Sequence, residues 1–251
     1  MKVHPYHTEI LAEIIRKSGK ATQHTFLENY LGNKHPRYPV SAPVLRQIAK
    51  EWTVKHQSLT AQEFSDVVSS LVSGKSFTEK CMGGILLDYA RAPQRKFDIS
   101  IFYDWLEQLE GWAEVDALCT GKFQLLEIPG NFRKWKPLLI KLSKSKEVTH
   151  RRASLVLLCS PIAHTEEDEI AAVGLSNIDR LKHEKEILIT KAISWLLRSM
   201  IKHHREKVEE YIDANRDELP AIAVRETLVK LRTGKKGGVS VKPGSPSSRR
   251  S

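Results

Sequence analysis

Along this chain the apolar residues return at steps of three and four, the spacing that turns one face of a helix into a core. Tyr6, Ile10 and Ile14, then Phe26, Leu27, Tyr30 and Leu31, predict two short amphipathic helices parted at Ser18-Gly19. Lys34 to Pro39 is expected as a loop, since proline disfavours helix at the residue before it. Ser41, with Pro43 in the first turn, opens a helix through Trp52. Thr60-Ala-Gln-Glu63 has the form of a capping box, and Phe64, Val67, Val68 and Leu71 follow it before a stop at Gly74. The rhythm predicts further helices from Phe77 to Ala92, from Ile101 to Leu109, and from Trp112 to a close at Pro129-Gly130. Phe132, Trp135, Leu138, Leu139 and Leu142 mark another, and a basic link ending at Lys146 leads into one from Val148 to Cys159. Segments around Ile170–Leu181, Ile187–Ile201, Val208–Ile212 and Pro220–Leu231 complete the series.

No alternating run is long enough for a strand, so the fold class is all-α. Short helices joined by short loops, in pairs of roughly 35 to 45 residues, predict an α-solenoid of stacked antiparallel pairs. Such stacks curve and leave an extended concave surface. One domain is expected over residues 1–233. The Gly/Pro/Ser/Lys segment 234–251 is expected to be a disordered basic tail.

Composition changes this picture in three ways. Hydrophobic residues make up 41% of the 251, enough for a sizeable core. Of the net charge of +10, Lys235, Lys236, Lys242, Arg249 and Arg250 carry half, so the body keeps a smaller positive excess compatible with a polyanionic partner. Cys81, Cys119 and Cys159 lie far apart in apolar helical settings, which points to reduced core thiols and not to a zinc site. Without an apolar signal core or a run of about 20 apolar residues, a soluble cytoplasmic protein is expected.

The candidate chemistry gathers at Gly111-Trp-Ala-Glu-Val-Asp-Ala-Leu-Cys119. On a helix Trp112 and Asp116 stand four apart on one face, beside the apolar pair Val115 and Cys119. That sets a carboxylate at the edge of a buried stripe, next to an indole; an ordinary surface Asp bordering the stripe would look the same. Two other helices carry similar oddities. Arg152 leads into an unbroken apolar run, and Trp195 and Arg198 lie three apart in Lys191-Ala-Ile-Ser-Trp-Leu-Leu-Arg198. Singly, Trp195 reads as core and each Arg as a side chain reaching for solvent. Together they form a set that successive helices could bring to one concave face.

In that set the chain resembles the AlkD-like family of DNA alkylation repair enzymes. The resemblance is carried by Trp112-x-x-Val-Asp116, by Arg152-Ala with its apolar run, and by Lys191-Ala-Ile-x-Trp-x-Leu-Arg198, in that order. Pro43-x-x-Arg46 with Tyr30 upstream, and Arg225-Glu226, agree less specifically. Gly111 stands where members can carry a second aromatic. The resemblance implies a HEAT-like solenoid whose concave basic face binds duplex DNA carrying alkylated purines. It implies a monomeric glycosylase without metal or cofactor, acting in the cytoplasm on the nucleoid. Its catalytic set would be Asp116, Trp112, Trp195 and Arg152, the last gripping a phosphate. Tyr30, Arg46, Lys144, Lys146, His150, Arg151, Arg198 and Lys202 would contact DNA.

The chemistry asks for the same residues. An N3- or N7-alkylated purine is already cationic and leaves without a general acid, and positive charge moves onto the deoxyribose as the bond breaks. A carboxylate about 4 Å away is worth roughly 4 kcal/mol at an effective dielectric near 20. Flanking indoles add on the order of 2 kcal/mol each when desolvated. The rival expectation is a non-catalytic helical module that binds distorted DNA or a protein, since solenoids are mostly binders. His203-His204 is too isolated to argue for a metal, and no phosphate-cradling Gly-rich loop is present.

Overall fold

The computed structural model describes residues 3–20 and 32–235. Within them lie thirteen α-helices and no strand. The first seven are α1 (Pro5–Arg16), α2 (Ala42–Lys55), α3 (Ala61–Val72), α4 (Phe77–Tyr89), α5 (Ile101–Glu107), α6 (Gly111–Cys119) and α7 (Lys122–Gly130). Then come α8 (Phe132–Ser143), α9 (Val148–Ile162), α10 (Asp168–Leu181), α11 (Ile187–Met200), α12 (Arg205–Asn215) and α13 (Ala221–Thr233). The helix expected at Phe26–Leu31 and the tail beyond Lys235 fall outside the described residues. At the tail's start Gly234, with φ 68°, takes the left-handed cap of α13 and donates its N–H to the Lys230 carbonyl.

The helices pack as an all-α solenoid in two rows. One row runs α2, α4, α6, α9, α11, α13, each against the next. Behind it α1 and α3 cover α2 and α4; α5, α7 and α8 cover α9; α10 and α12 cover the C-terminal members. Between the rows lies one apolar core. In its middle third Phe102 meets Trp105 at 5.0 Å and Trp135 edge-on at 5.1 Å between ring centres, while Phe97 stacks on Phe123. Cys81, Cys119 and Cys159 are all buried free thiols in it, and burial pushes each of them well above the usual thiol range.

The capping box at Thr60 and Glu63 is present, closed by the Thr60 N–H to Glu63 at 2.9 Å. A second one, Ser76 with Glu79, opens α4 inside the protein. There the Glu79 carboxylate also takes the Nε2 of buried His7 at 2.9 Å, which ties α1 to α4. Burial pushes the Glu79 carboxyl up, but its bonds from His7 and Ser76 win and leave it below its ordinary value.

Two glycines decide where α6 lies. A Cβ on Gly84 of α4 would stand 2.1 Å from the Ala117 carbonyl oxygen, so α4 and α6 cross backbone against backbone. The helix expected from Trp112 to Pro129 is in fact two. It breaks at Thr120-Gly121, where Gly121 lies against the Asp88 carboxylate and a Cβ would meet Oδ1 at 2.1 Å. Asp88 in turn accepts the Phe123 N–H at 3.2 Å, capping α7.

Candidate functional site

The row α2–α4–α6–α9–α11–α13 carries most of the residues singled out in the sequence. On α6 the start is set by Glu114, whose fully buried carboxylate accepts the Glu110 N–H at 2.7 Å and holds His35 Nδ1 at 2.7 Å. Buried Lys80 lies nearby, spanning the Val72 and Gln108 carbonyls at 2.9 and 2.6 Å. This lattice fixes the loop after Gly32 against the first turn of α6. Gly111 begins that turn at φ 68°, a left-handed conformation that suits glycine. At the other end, the Thr120 N–H and hydroxyl both donate to the Asp116 carbonyl, at 2.9 and 2.7 Å.

Asp116 is thereby held in place, and its side chain is 14% exposed. Arg152 on α9 grips it with two parallel bonds, Nε to Oδ1 at 2.9 Å and Nη2 to Oδ2 at 2.8 Å. A third donor, Nη1, reaches the Leu188 carbonyl in the first turn of α11 at 2.5 Å. One guanidinium therefore joins α6, α9 and α11. Burial pushes the Asp116 carboxyl above its ordinary value, and the hydrogen bonds and charge of Arg152 draw it back part of the way.

Beside this pair opens a cleft of about 530 Å³ lined by Gly32, Trp112, Arg152, Glu186, Ile187, Leu188 and Lys191. Trp112 and Trp195 are both half-buried. Trp195 stands one turn past Lys191 on α11, about 6 Å farther along the axis, and is not part of this cleft's lining. A second cleft of about 510 Å³ adjoins across Gly111 and Leu188; it holds Lys146 among Glu107, Glu110 and Glu147.

Several expected DNA contacts have other surroundings. His150 is fully buried, with its ring nitrogens on Ser145 Oγ at 2.8 Å and the Tyr103 carbonyl at 2.9 Å. The expectation that it reaches DNA is corrected: it is a core residue pinning α9 to α5. Arg151 is engaged by Glu184 at 2.7 Å and by the Ser145 carbonyl at 3.1 Å. Arg198 is only 9% exposed and faces the Ser194 carbonyl and Glu226, so it braces α11 against α13. Arg46, Lys144, Lys146 and Lys202 are exposed, and Tyr30 lies outside the described residues. Sequence reasoning assigned no role to Glu114, Lys80 or Asp88, nor to Lys191, although it opens the motif that ends at Arg198. For Lys80 and Glu114 a signal existed, a charge embedded in an apolar helical stretch.

Among the described residues no group of three His, Cys, Asp or Glu is placed to hold a metal ion. No described helix is long and apolar enough to cross a membrane.

The sequence of the chain falls in a known class of proteins. It belongs to the DNA alkylation repair enzyme family, whose model matches residues 11–231. Among solved structures it is similar to one titled "Predicted DNA alkylation repair enzyme from Enterococcus faecalis". The two are 17% identical with a TM-score of 0.70, over 85% of this chain and 96% of that one, a likeness of fold. No curated protein matches the chain.

Proposed function

We propose that this protein is an alkylpurine DNA glycosylase. It would hydrolyse the N-glycosidic bond of cationic N3- or N7-alkylated purines in duplex DNA and leave an abasic site. The observation that carries this reading is a carboxylate, Asp116, held by two bonds from Arg152, which itself lines a cleft together with Trp112. The family membership supports DNA repair as the setting.

In this reading Arg152 acts mainly through Asp116, as a positioning residue. Its own positive charge opposes the charge developing on the sugar and takes back part of the roughly 4 kcal/mol that a lone carboxylate about 4 Å away supplies at a dielectric near 20. In exchange the carboxylate is oriented before the substrate arrives. Trp112 and Trp195 would flank the sugar and add cation–π attraction. Asp116 would also align the attacking water.

The same ion pair favours the second reading, a DNA-binding module without catalysis, because a carboxylate already paired with Arg152 has a structural use. Release of 7-methylguanine from methylated duplex DNA by the purified protein separates the two. Asp116→Asn should lower the single-turnover rate at least tenfold while duplex binding is kept. That change leaves a buried guanidinium unpaired, a cost of about 3–5 kcal/mol. The double variant Asp116→Asn/Arg152→Gln keeps the neighbourhood neutral and should be equally inactive yet better folded. A double variant with wild-type release would remove Asp116 from the chemistry.

A further inference from the structure

Resting on the glycosylase reading, we infer that Lys191 forms the phosphate-binding subsite of the cleft, the role for which Arg152 is the obvious candidate by sequence. Arg152 is 4% exposed; three of its donors are taken by Asp116 and the Leu188 carbonyl, and its charge is offset by the carboxylate it holds. A phosphate meeting that pair faces no net charge and a guanidinium whose fork is already spent on another anion. Glu186 also lines the cleft, and its carboxylate accepts the Leu188 N–H at 3.2 Å, capping α11. Lys191 is the remaining charged group of this wall. It is exposed and makes no hydrogen bond or ion pair with any described residue.

Its position suits the role. Leu188, Lys191 and Trp195 follow one another on one face of α11, so the ammonium stands one turn from the carbonyl that anchors Arg152 and one turn from Trp195. A phosphate held there would fix the backbone next to the sugar facing Asp116. A lysine suits this task as a mobile point charge with three donors, able to follow the backbone as the lesion settles. The ligand class is a nucleic-acid phosphodiester, and the contact is indifferent to base identity.

The test couples the side chain to individual phosphates. Duplexes carry a non-hydrolysable abasic analogue, and each flanking phosphate in turn is replaced by a neutral methylphosphonate. Binding by wild type and Lys191→Gln is measured across a salt series. We expect wild type to lose about tenfold in affinity at one replaced phosphate and Lys191→Gln to be insensitive at that position. We also expect the salt slope of the variant to be shallower by about 0.9. A Lys191→Gln protein that keeps the wild-type sensitivity at every phosphate and the wild-type slope overturns the assignment. Wild type that fails to bind the duplex at all overturns the DNA-repair reading and the subsite with it. Because only binding is measured, an inactive but DNA-binding protein would still decide the role of Lys191.

Discussion

At the scale of single residues, the site depends on a pair that lies 36 positions apart in the chain. Asp116 and Arg152 were each legible as odd residues on apolar helices. That they hold each other was not, because nothing local in either helix encodes which neighbour faces it. The pairing has a consequence in pH. The proposed mechanism needs Asp116 ionised, and burial has raised its carboxyl, so the rate of excision should fall on acidification at a higher pH than for a surface aspartate. Arg152 opposes that rise; Arg152→Gln removes the opposition and should move the acid limb further up. Single-turnover excision followed from neutral pH downward checks this. A limb that stays put or shifts to lower pH in the variant would mean that another group titrates. Core His150 is the complementary lesson: as part of a basic-looking linker it suggested a surface, and only the packing of α9 on α5 reveals its two bonds inward.

At the scale of elements, most helices were legible from their apolar period, and the capping box at Thr60 formed as its sequence required. The break within Trp112–Pro129 was not, since it is imposed by Asp88, 33 residues before Gly121 and on another helix. Gly84 makes the reverse point: an unremarkable glycine in an apolar run sets how closely α4 and α6 approach. Gly84→Ala would press a methyl group onto the Ala117 carbonyl, a backbone atom that cannot rotate away. Overpacking of this kind costs about 3 kcal/mol, or a fall in Tm of roughly 6–12 °C for a domain of this size. Ala117 adjoins Asp116, so excision should drop further than stability alone explains; a 1 Å misplacement can cost about a hundredfold. Thermal melts and single-turnover rates at a temperature where both proteins are folded check the two effects. A variant matching wild type in Tm would show that the crossing has room to open.

At the scale of the molecule, the solenoid offers an open cleft on its row of packed helices, and the proposed chemistry needs no fitted cavity. Lesion choice should therefore follow the lability of the lesion itself. Cationic 7-methylguanine and 3-methyladenine should be released, bulky N7 adducts included, whereas neutral hypoxanthine and 1,N6-ethenoadenine should persist. A neutral purine must gain a proton to leave, and Asp116 is needed ionised while arginine does not give up its proton. Excess enzyme incubated with matched duplexes, with free base quantified over time, checks this; hypoxanthine released as fast as 7-methylguanine would require a general acid that the proposed set lacks. The anchorage of Arg152 on Leu188 has one more consequence. Asp116 leaves the ribosome some seventy residues before α11 does, and until α11 docks its clamp lacks a third point of attachment. A chain still being made, or one cut in its C-terminal third, carries an incomplete centre. On the proposed reading, the order of synthesis completes the centre for glycosidic-bond cleavage only once α11 has docked against Arg152.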